Sequence, residues 1–390
     1  DSMYPNHPLD MLWQKEKFKG IINIASSPFS DKQRERRGKT LEKVYKHFQV
    51  PIVYVNQVGA QTELIFDGGS AVILEDGRMV EGKFFEEGIF YWDTASALTE
   101  GFSDYPKKEA IAPVYDALVL GLSDYFKKLG FKKATLGLSG GIDSAVTLAI
   151  AADALGSENV YPILLPSEFS SDHSVSDSEK MIQNLGCPFL TIPIKESFDA
   201  LLNGLRESFA GTEFGLAEEN LQARIRGTLL MAVSNKHGHI VLNTSNKSEM
   251  AVGFGTLYGD MCGGISVIGD VYKQKVYELA RYINRNKETI PQNIIDKAPS
   301  AELRPGQLDS DRLPDYEVLD AILELYIEGQ QDINAIIKQL KDIDPALIRK
   351  TLRLVNINEY KRHQTAPILR VSTKAFGQGR RMPIVAKYLD

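Results

Sequence analysis

In the stretch KKATLGLSGGIDSAVTLAIAADAL, from Lys132 to Leu155, a strand-like segment runs into a Ser- and Gly-rich loop and then a helix. Ser139, Gly140 and Gly141 have small side chains, so backbone N–H groups there can approach an anion closely. The helix that follows adds its positive end. Ser139 and Ser144 offer hydroxyl donors. The lysine of a Gly-x-x-x-x-Gly-Lys-Ser/Thr loop is absent. Asp143 stands where it would repel a phosphate unless a cation bridges the two. Mg²⁺ commonly joins one or two carboxylates to substrate phosphates. The loop therefore reads as an Mg²⁺–nucleotide site with the charge logic of pyrophosphate rather than of γ-phosphate transfer.

A second constellation lies in VLNTSNKSEMAVGFGTLYGDMCGGISVIGDVYKQKVYELAR, Val241 to Arg281. A strand ends at Thr244, and Glu249 follows just over one helical turn later. Asp260 comes eleven positions after Glu249, and Lys273 thirteen after Asp260. Asp143, Glu249 and Asp260 together supply carboxylates for a metal. Lys273 supplies a cation for charge that grows on a departing pyrophosphate.

The elements that must position these residues are legible as a pattern. GIINIAS and PIVYVNQ read as strands and Asp31–Gln49 as a helix between them. Ser70–Phe85 alternates about Asp76-Gly77 as a hairpin. Thr99–Lys108 is punctuated by Gly and Pro as a linker, and an amphipathic helix covers about Lys108–Leu129. After it, ATLGLS, VYPILLPS, FLTIPI and HIVLNTSN alternate with helices from about Asp143, at Ser174–Leu185, at Glu218–Lys236 and at KQKVYELARYINR. This alternation predicts an α/β fold with a doubly wound parallel sheet and ligands at the carboxyl ends of its strands. The opening residues, DSMYPNHPLDMLWQKEKFKG, lack an initiator Met and an obvious helix start.

A length of 390 residues, 43% hydrophobic and 25% charged, fits a globular protein of two domains. The net charge of −6 disfavours a nucleic-acid partner that needs a broad basic surface. The two cysteines, Cys187 and Cys262, match no CxxC or zinc spacing, which fits a reducing compartment. No signal peptide or bilayer-length apolar run is apparent, so a cytoplasmic enzyme without a membrane partner is expected. Cys262 reads as a packing residue, and Cys187, before Pro188 in a loop-to-strand join, reads as without a role. The run GRR at 379–381 reads equally as a neutraliser of substrate phosphate and as a solvated tail.

Ser-Gly-Gly-x-Asp-Ser after a strand resembles the PP-loop of the ATP pyrophosphatases, which implies an adenine nucleotide alpha hydrolase-like sheet and cleavage of ATP to AMP and pyrophosphate. The Val241–Arg281 stretch is similar to the NAD⁺ synthetase family. So are EENLQARIRGTLL (Glu218–Leu230), KAPSAELRPGQLDSDRLPDYEVLD (Lys297–Asp320) and NEYKRHQTAPILRVSTKAFGQGRRMPI (Asn358–Ile384). The resemblance covers residues 107–390. It implies a ligase that adenylates the nicotinate carboxylate of deamido-NAD⁺ and lets ammonia displace AMP, with ATP as co-substrate and Mg²⁺ as cofactor. Carried over position by position, Gly137, Leu138, Ser139, Gly140, Gly141, Ile142, Asp143 and Ser144 wrap ATP. Arg226, Thr244, Lys273 and Ser300 also contact it. Asn220, Glu249, Phe254, Gly255, Thr256, Leu257 and Lys361 fall at the deamido-NAD⁺ site. Asp143 and Glu249 fall at Mg²⁺-ligand positions and Asp260 at a second metal or pyrophosphate contact, and Asp143, Lys273 and Asp260 are the catalytic candidates. The family also implies a homo-oligomer formed through this domain.

Departures point to one branch of the family. The ammonia-dependent branch has a Lys three positions before the equivalent of Asp260 and an Asp four after it; here these are Leu257 and Gly264. The pattern resembles the glutamine-dependent branch. Residues 1–106, with NIASSPFSDKQRERR and VNQVGAQTELIFDGGSAVILEDGRMV, resemble the second half of a nitrilase-like α/β sandwich that supplies ammonia from glutamine. The catalytic Glu, Lys and Cys of such a domain would precede Asp1, and no cysteine occurs before Cys187. Ser27, Glu63 and Asp67 are candidates for a glutamine pocket or for structural turns. Half a sandwich is expected to leave apolar surface uncovered, within a natural enzyme that is longer.

Overall fold

The computed structural model describes residues 8–93, 99–100, 110–304 and 306–385. Its contacts divide the chain into two compact units, one of residues 1–60 and 64–109, the other of 61–63 and 110–390. The expected boundary between 106 and 107 lies outside the described residues, as does most of the expected linker. Thr99–Glu100, at its start, pairs instead as a short strand with Tyr91–Trp92.

In the first unit, strands Ile21–Ala25, Ile52–Asn56, Ala71–Ile73 and Met79–Glu81 form one sheet in that order. The first pair is parallel and the others antiparallel. The Asp76-Gly77 turn closes as a hairpin, with Gly77 at φ +84° where a left-handed residue is needed. Helix Gln33–Phe48 lays Leu41 on Ile52, Tyr54 and Ile73. On the first strand, Ile22 and Ile24 are 75% and 82% exposed. The opening segment, read as lacking a helix start, forms helix Pro8–Lys15. Its start signal is the proline, whose fixed φ and missing N–H suit a first turn. Trp13 packs edge-on against Phe18 and Phe48 at 4.6 and 5.5 Å.

The second unit centres on a five-stranded sheet in the order Leu190–Thr191, Val160–Leu164, Ala134–Gly137, Ile240–Asn243, Ile265–Ser266, with every pair parallel. The chain enters at the middle strand, builds to one side, then crosses to the other. Ala134–Gly137 and Ile240–Asn243 therefore flank the switch in strand order, where their carboxyl ends open a crevice. Helix Ile142–Leu155 is buried on nearly every side, and its alanines let helices Ala112–Leu129 and Lys273–Ile283 pack closely against it. The amphipathic helix expected from Lys108 starts, as described, at Ala112. Beyond the sheet, helices Tyr316–Ile327, Ile333–Gln339 and Pro345–Ile357 form a cluster through Ile322, Ile336, Ile348 and Leu352. Leu319 and Leu323 pack toward Met250, Ala251 and Val252. Among the described residues, no helix is long and apolar enough to cross a membrane.

Candidate active site

The residues singled out in the sequence line one cavity of about 590 Å³ at the switch in strand order. These are the whole 137–144 loop, the 254–257 loop, Asn220, Arg226, Thr244, Glu249, Asp260, Lys273, Ser300 and Lys361.

The loop is shaped by its small residues. Gly140 takes φ +75°, and a Cβ there would lie 2.5 Å from the Ser174 carbonyl oxygen, so no larger residue fits without displacing backbone. Ser144 Oγ donates to the Gly141 carbonyl at 3.0 Å, and Ser139 N donates to Ser144 Oγ at 3.3 Å. These bonds curl the loop over the N-terminus of helix Ile142–Leu155.

Behind the loop sits a cluster of charge. Lys273 is 2% exposed, and its Nζ donates to Asp143 Oδ2 at 2.5 Å and to Glu249 Oε1 at 3.4 Å. Burial alone would lower its pKa, but the charges of Asp143 and then Glu249 outweigh burial and raise it, so Lys273 stays an ammonium. The Glu249 carboxyl is raised by burial, with Lys273 opposing and Asp143 and Asp309 adding to the rise. Tyr316 OH donates to Asp309 Oδ2 at 2.8 Å and to Glu249 Oε1 at 3.3 Å. Burial, then the nearby Glu249 and Asp309 charges, hold this phenol far above its ordinary pKa, so it remains a donor.

Asn246 links two of these parts. Its Oδ1 accepts from Glu249 N at 3.0 Å and caps helix Lys247–Val252, while its Nδ2 donates to Asp143 Oδ1 at 2.9 Å. One side chain thus starts the helix that carries Glu249 and orients the carboxylate of the loop. Sequence reasoning passed over Asn246, although an Asn followed by a helical segment is a recognisable cap signal. It also passed over Asp309 and Tyr316, which no local spacing ties to the site.

Lys273 opens helix Lys273–Ile283, whose N-cap residue Tyr272 gives no side-chain bond. Two distant residues cap the helix instead. Lys273 N donates to Ser248 Oγ at 2.9 Å, and Gln274 N donates to Asp320 Oδ2 at 2.9 Å. Ser248 Oγ in turn donates to Asp320 Oδ1. Burial pushes the Asp320 carboxyl from 3.8 up to about 6, with the bonds from Ser248 and Gln274 opposing. The folded state then keeps a proton up to about pH 6 that the unfolded chain releases near 3.8, so the folded state binds more protons across this window. The stability Asp320 contributes is fully present below pH 3.8 and is lost as pH rises through about 6. Urea denaturation at several pH values should show this decline in the wild type relative to Asp320→Asn; parallel profiles for the two proteins would contradict it.

Asp260 belongs to a different part of the cavity. Its Oδ1 accepts from Thr256 N at 2.6 Å, and the positive charges facing it are Lys361 and Arg226. Its side chain is exposed at the cavity, yet the protein packed around it pushes its carboxyl up to about 6 against that bond and those charges. Lys361 Nζ donates to the carbonyls of Gly253 at 2.7 Å and Gly255 at 2.8 Å, while Thr256 Oγ1 donates to Asn220 Oδ1 at 2.8 Å. Asp260, Lys361 and Asn220 thus brace the 254–257 loop. Asp260, expected at a second metal or a pyrophosphate contact, stands apart from the Asp143 and Glu249 pair. Asp143 and Glu249 meet at Lys273, and among the described residues no group of three or more His, Cys, Asp or Glu is arranged to hold a metal ion. The physical reason is that the 253–260 turn is tied to Lys361 rather than to Lys273.

The remaining candidates are placed as follows. Arg226 Nε donates to the Leu165 carbonyl at 3.1 Å, and burial lowers its pKa to about 10, which leaves it charged at neutral pH. Ser300 Oγ donates to the Gln307 carbonyl and accepts from Glu302 N, so it holds its own loop. Thr244 lines the cavity directly after the fourth strand. Cys262 also lines it, but burial and then Asp260 raise its thiol, which fits packing rather than nucleophilic attack. In the first unit, Asp67 is 1% exposed and pairs with Arg37 at 2.7 Å, an arrangement that serves the fold rather than an open pocket.

Comparison with known proteins shows the family to which this chain is similar. The NAD synthase family model matches residues 114–365. A glutamine-dependent NAD(+) synthetase of Synechocystis sp. is 46% identical over 94% of this chain and 66% of that protein. One from Thermotoga maritima is 43% identical over 95% of this chain and 70% of that protein. The chain thus spans about two thirds of the length of such relatives. Among solved structures, a glutamine-dependent NAD⁺ synthetase from Acinetobacter baumannii, in complex with ADP, is 40% identical with a TM-score of 0.71, covering 97% of this chain and 69% of that one. An NH3-dependent NAD synthetase from Campylobacter jejuni is 26% identical with a TM-score of 0.52, covering 65% of this chain and 96% of that one.

Proposed function

The chain belongs to the NAD synthase family, and from that premise we propose that it makes NAD⁺ by ATP-dependent amidation of deamido-NAD⁺. The observation that carries the reading is that the 137–144 loop, Lys273 and the 254–257 loop all face one cavity of about 590 Å³. Residues 107–390 would form the synthetase domain and residues 1–106 part of a nitrilase-like domain that passes on ammonia from glutamine. A cytoplasmic homo-oligomer is the expected setting.

The loop amides and the N-terminus of helix Ile142–Leu155 would receive the phosphates of ATP. Thr244, Arg226 and Ser300 would bound the rest of the nucleotide. Asn220, Lys361 and the 254–257 loop would hold deamido-NAD⁺, with its nicotinate carboxylate directed at the α-phosphorus. That carboxylate attacks, and Lys273 meets the negative charge that grows on the departing pyrophosphate. Ammonia then attacks the acyl carbon of the adenylate and expels AMP. No covalent bond to the protein forms, so catalysis rests on positioning and fixed charge.

Asp143 and Glu249 are hard oxygen donors that already converge on one cation, the Lys273 ammonium, and they suit Mg²⁺ shared with substrate phosphates. When bound there, Mg²⁺ would neutralise phosphate charge. Asp260, placed apart, would order the 254–257 loop.

The test is an end-point assay of this chain with Mg²⁺, ATP and deamido-NAD⁺, reading NAD⁺ and AMP by chromatography. Ammonium should support NAD⁺ formation. Glutamine should not, because both cysteines of this chain lie in the second unit and burial raises both thiols. ATP binding without AMP production would instead favour a non-catalytic nucleotide-binding protein.

A further inference from the structure

The GRR run is left unused by the reaction above, yet it lines a second cavity of about 290 Å³. The cavity lies in the second unit, between the end of helix Tyr316–Ile327 and the 374–382 segment. Lys374, Arg380 and Arg381 line it together with the amides of Gln330 and Gln331. No carboxylate is among the lining residues. Its volume is well above the roughly 30 Å³ share of a water molecule, so it has room for a small polar ligand.

Arg380 is held in place with its charge only partly met, and Arg381 is exposed. Gly377 and Arg380 pair across a tight antiparallel bridge, and a Cβ on Gly379 would lie 2.5 Å from the Ala375 carbonyl oxygen, so the turn is held by backbone contact. The Arg380 side chain is only 11% exposed, and its guanidinium carbon stands 5.5 Å from the Tyr326 ring centroid. Its Nη1 is buried and has no hydrogen-bond partner among the described residues. Glu359 Oε2, the carboxylate facing it, is 3.6 Å away and already receives Arg362 Nη2 at 2.7 Å. Lys374 is anchored through its backbone carbonyl, which accepts from the buried Lys247 at 2.9 Å. The Lys374 ammonium and the Arg381 guanidinium make no ion pair among the described residues. Glu328, at the end of the same helix, is taken by Lys247 and Tyr272.

A rigid guanidinium fork with two further cations matches an oxyanion that accepts several hydrogen bonds at once. We propose that this cavity is a binding site for a tetrahedral phosphate-type oxyanion, separate from the nucleotide cavity. Neutral amides on the opposite wall would complete the shell, since Gln330 and Gln331 can each donate to oxygen.

Titration calorimetry of the full chain with inorganic phosphate, and in a separate arm with pyrophosphate, tests the proposal. The wild type should show a site whose Kd rises at least tenfold in both Arg380→Met and Lys374→Met, while the affinity for Mg²⁺–ATP is unchanged. The arm with the tighter Kd identifies the form of phosphate recognised. Equal site number and Kd in wild type and both variants, for both anions, would overturn it. Should Arg380→Met fail to fold, phenylglyoxal modification of the wild type gives the same decision. Phosphate or pyrophosphate should slow labelling of Arg380 and Arg381 in peptide mass spectra, and unprotected labelling would overturn the site.

Discussion

Asp143→Asn should lower the rate of pyrophosphate and AMP formation by about 10²- to 10³-fold, the range seen when one preorganised charge or donor is removed from an active site. The side chain is confined on both oxygens, one held by Asn246 and the other by Lys273. Asparagine keeps the shape and removes the charge. Lys273 then retains the longer contact to Glu249, at 3.4 Å, and its place over the Tyr316 ring, but loses its closest carboxylate. The same change removes one of the two carboxylates suited to Mg²⁺. The fold should survive, because Asp143 lies on the cavity wall rather than among the core side chains of helix Ile142–Leu155. The loss should appear in kcat and not in the KM for deamido-NAD⁺, whose proposed contacts lie around the 254–257 loop. Near-normal pyrophosphate release from a folded Asp143→Asn protein would remove Asp143 from the mechanism.

The largest effect on stability is expected from Lys247→Met. Lys247 is 0% exposed, and its ammonium donates to Ser372 Oγ at 2.7 Å and to the Lys374 carbonyl at 2.9 Å. It pairs with Asp270 at 2.7 Å and also with Glu328, and it stands over the Tyr272 ring at 4.9 Å. Asp270 in turn accepts from the backbone N–H groups of Val371 and Ser372 at 2.8 and 2.6 Å. Methionine fills similar volume but leaves two carboxylates without their cation. Breaking a buried pair from one side costs about 3–5 kcal/mol. For a unit of this size that lowers the melting temperature by roughly 10 °C. Urea unfolding of wild type and variant measures the difference, and a loss below about 1 kcal/mol would mean that the network is not the support described here.

Much of the candidate site was readable because it is written in local patterns. A strand, a glycine loop and a helix follow one another within Lys132–Leu155, and their geometry depends on neighbouring residues, on φ freedom at Gly140 and on the first-turn N–H groups. The alternation of strands with amphipathic helices likewise foretold a parallel sheet, and such a sheet brings the carboxyl ends of Ala134–Gly137 and Ile240–Asn243 side by side. That is enough to bring Asp143 and Thr244 to one crevice.

Partnership across the chain was a different matter. Asp143 and Lys273 are separated by 130 positions, and nothing in either neighbourhood says which carboxylate the ammonium will meet. Spacing nominated Asp260 beside Asp143 and Glu249, whereas the fold ties the Asp260 turn to Lys361 and brings Asp309 and Tyr316 to Glu249 instead. Asp320 and Ser248 cap the Lys273 helix from elements the sequence does not connect with it. Lys247, which composition alone would place on the surface, is fully buried because two carboxylates, a hydroxyl and a carbonyl surround it. Sequence by itself determined the loop, the order of the elements and the chemistry they imply, since these follow from steric and hydrogen-bonding preferences of adjacent residues. Which buried charges face one another was decided only by tertiary packing, because the energy of a buried ion depends on every group around it and those groups come from all parts of the chain.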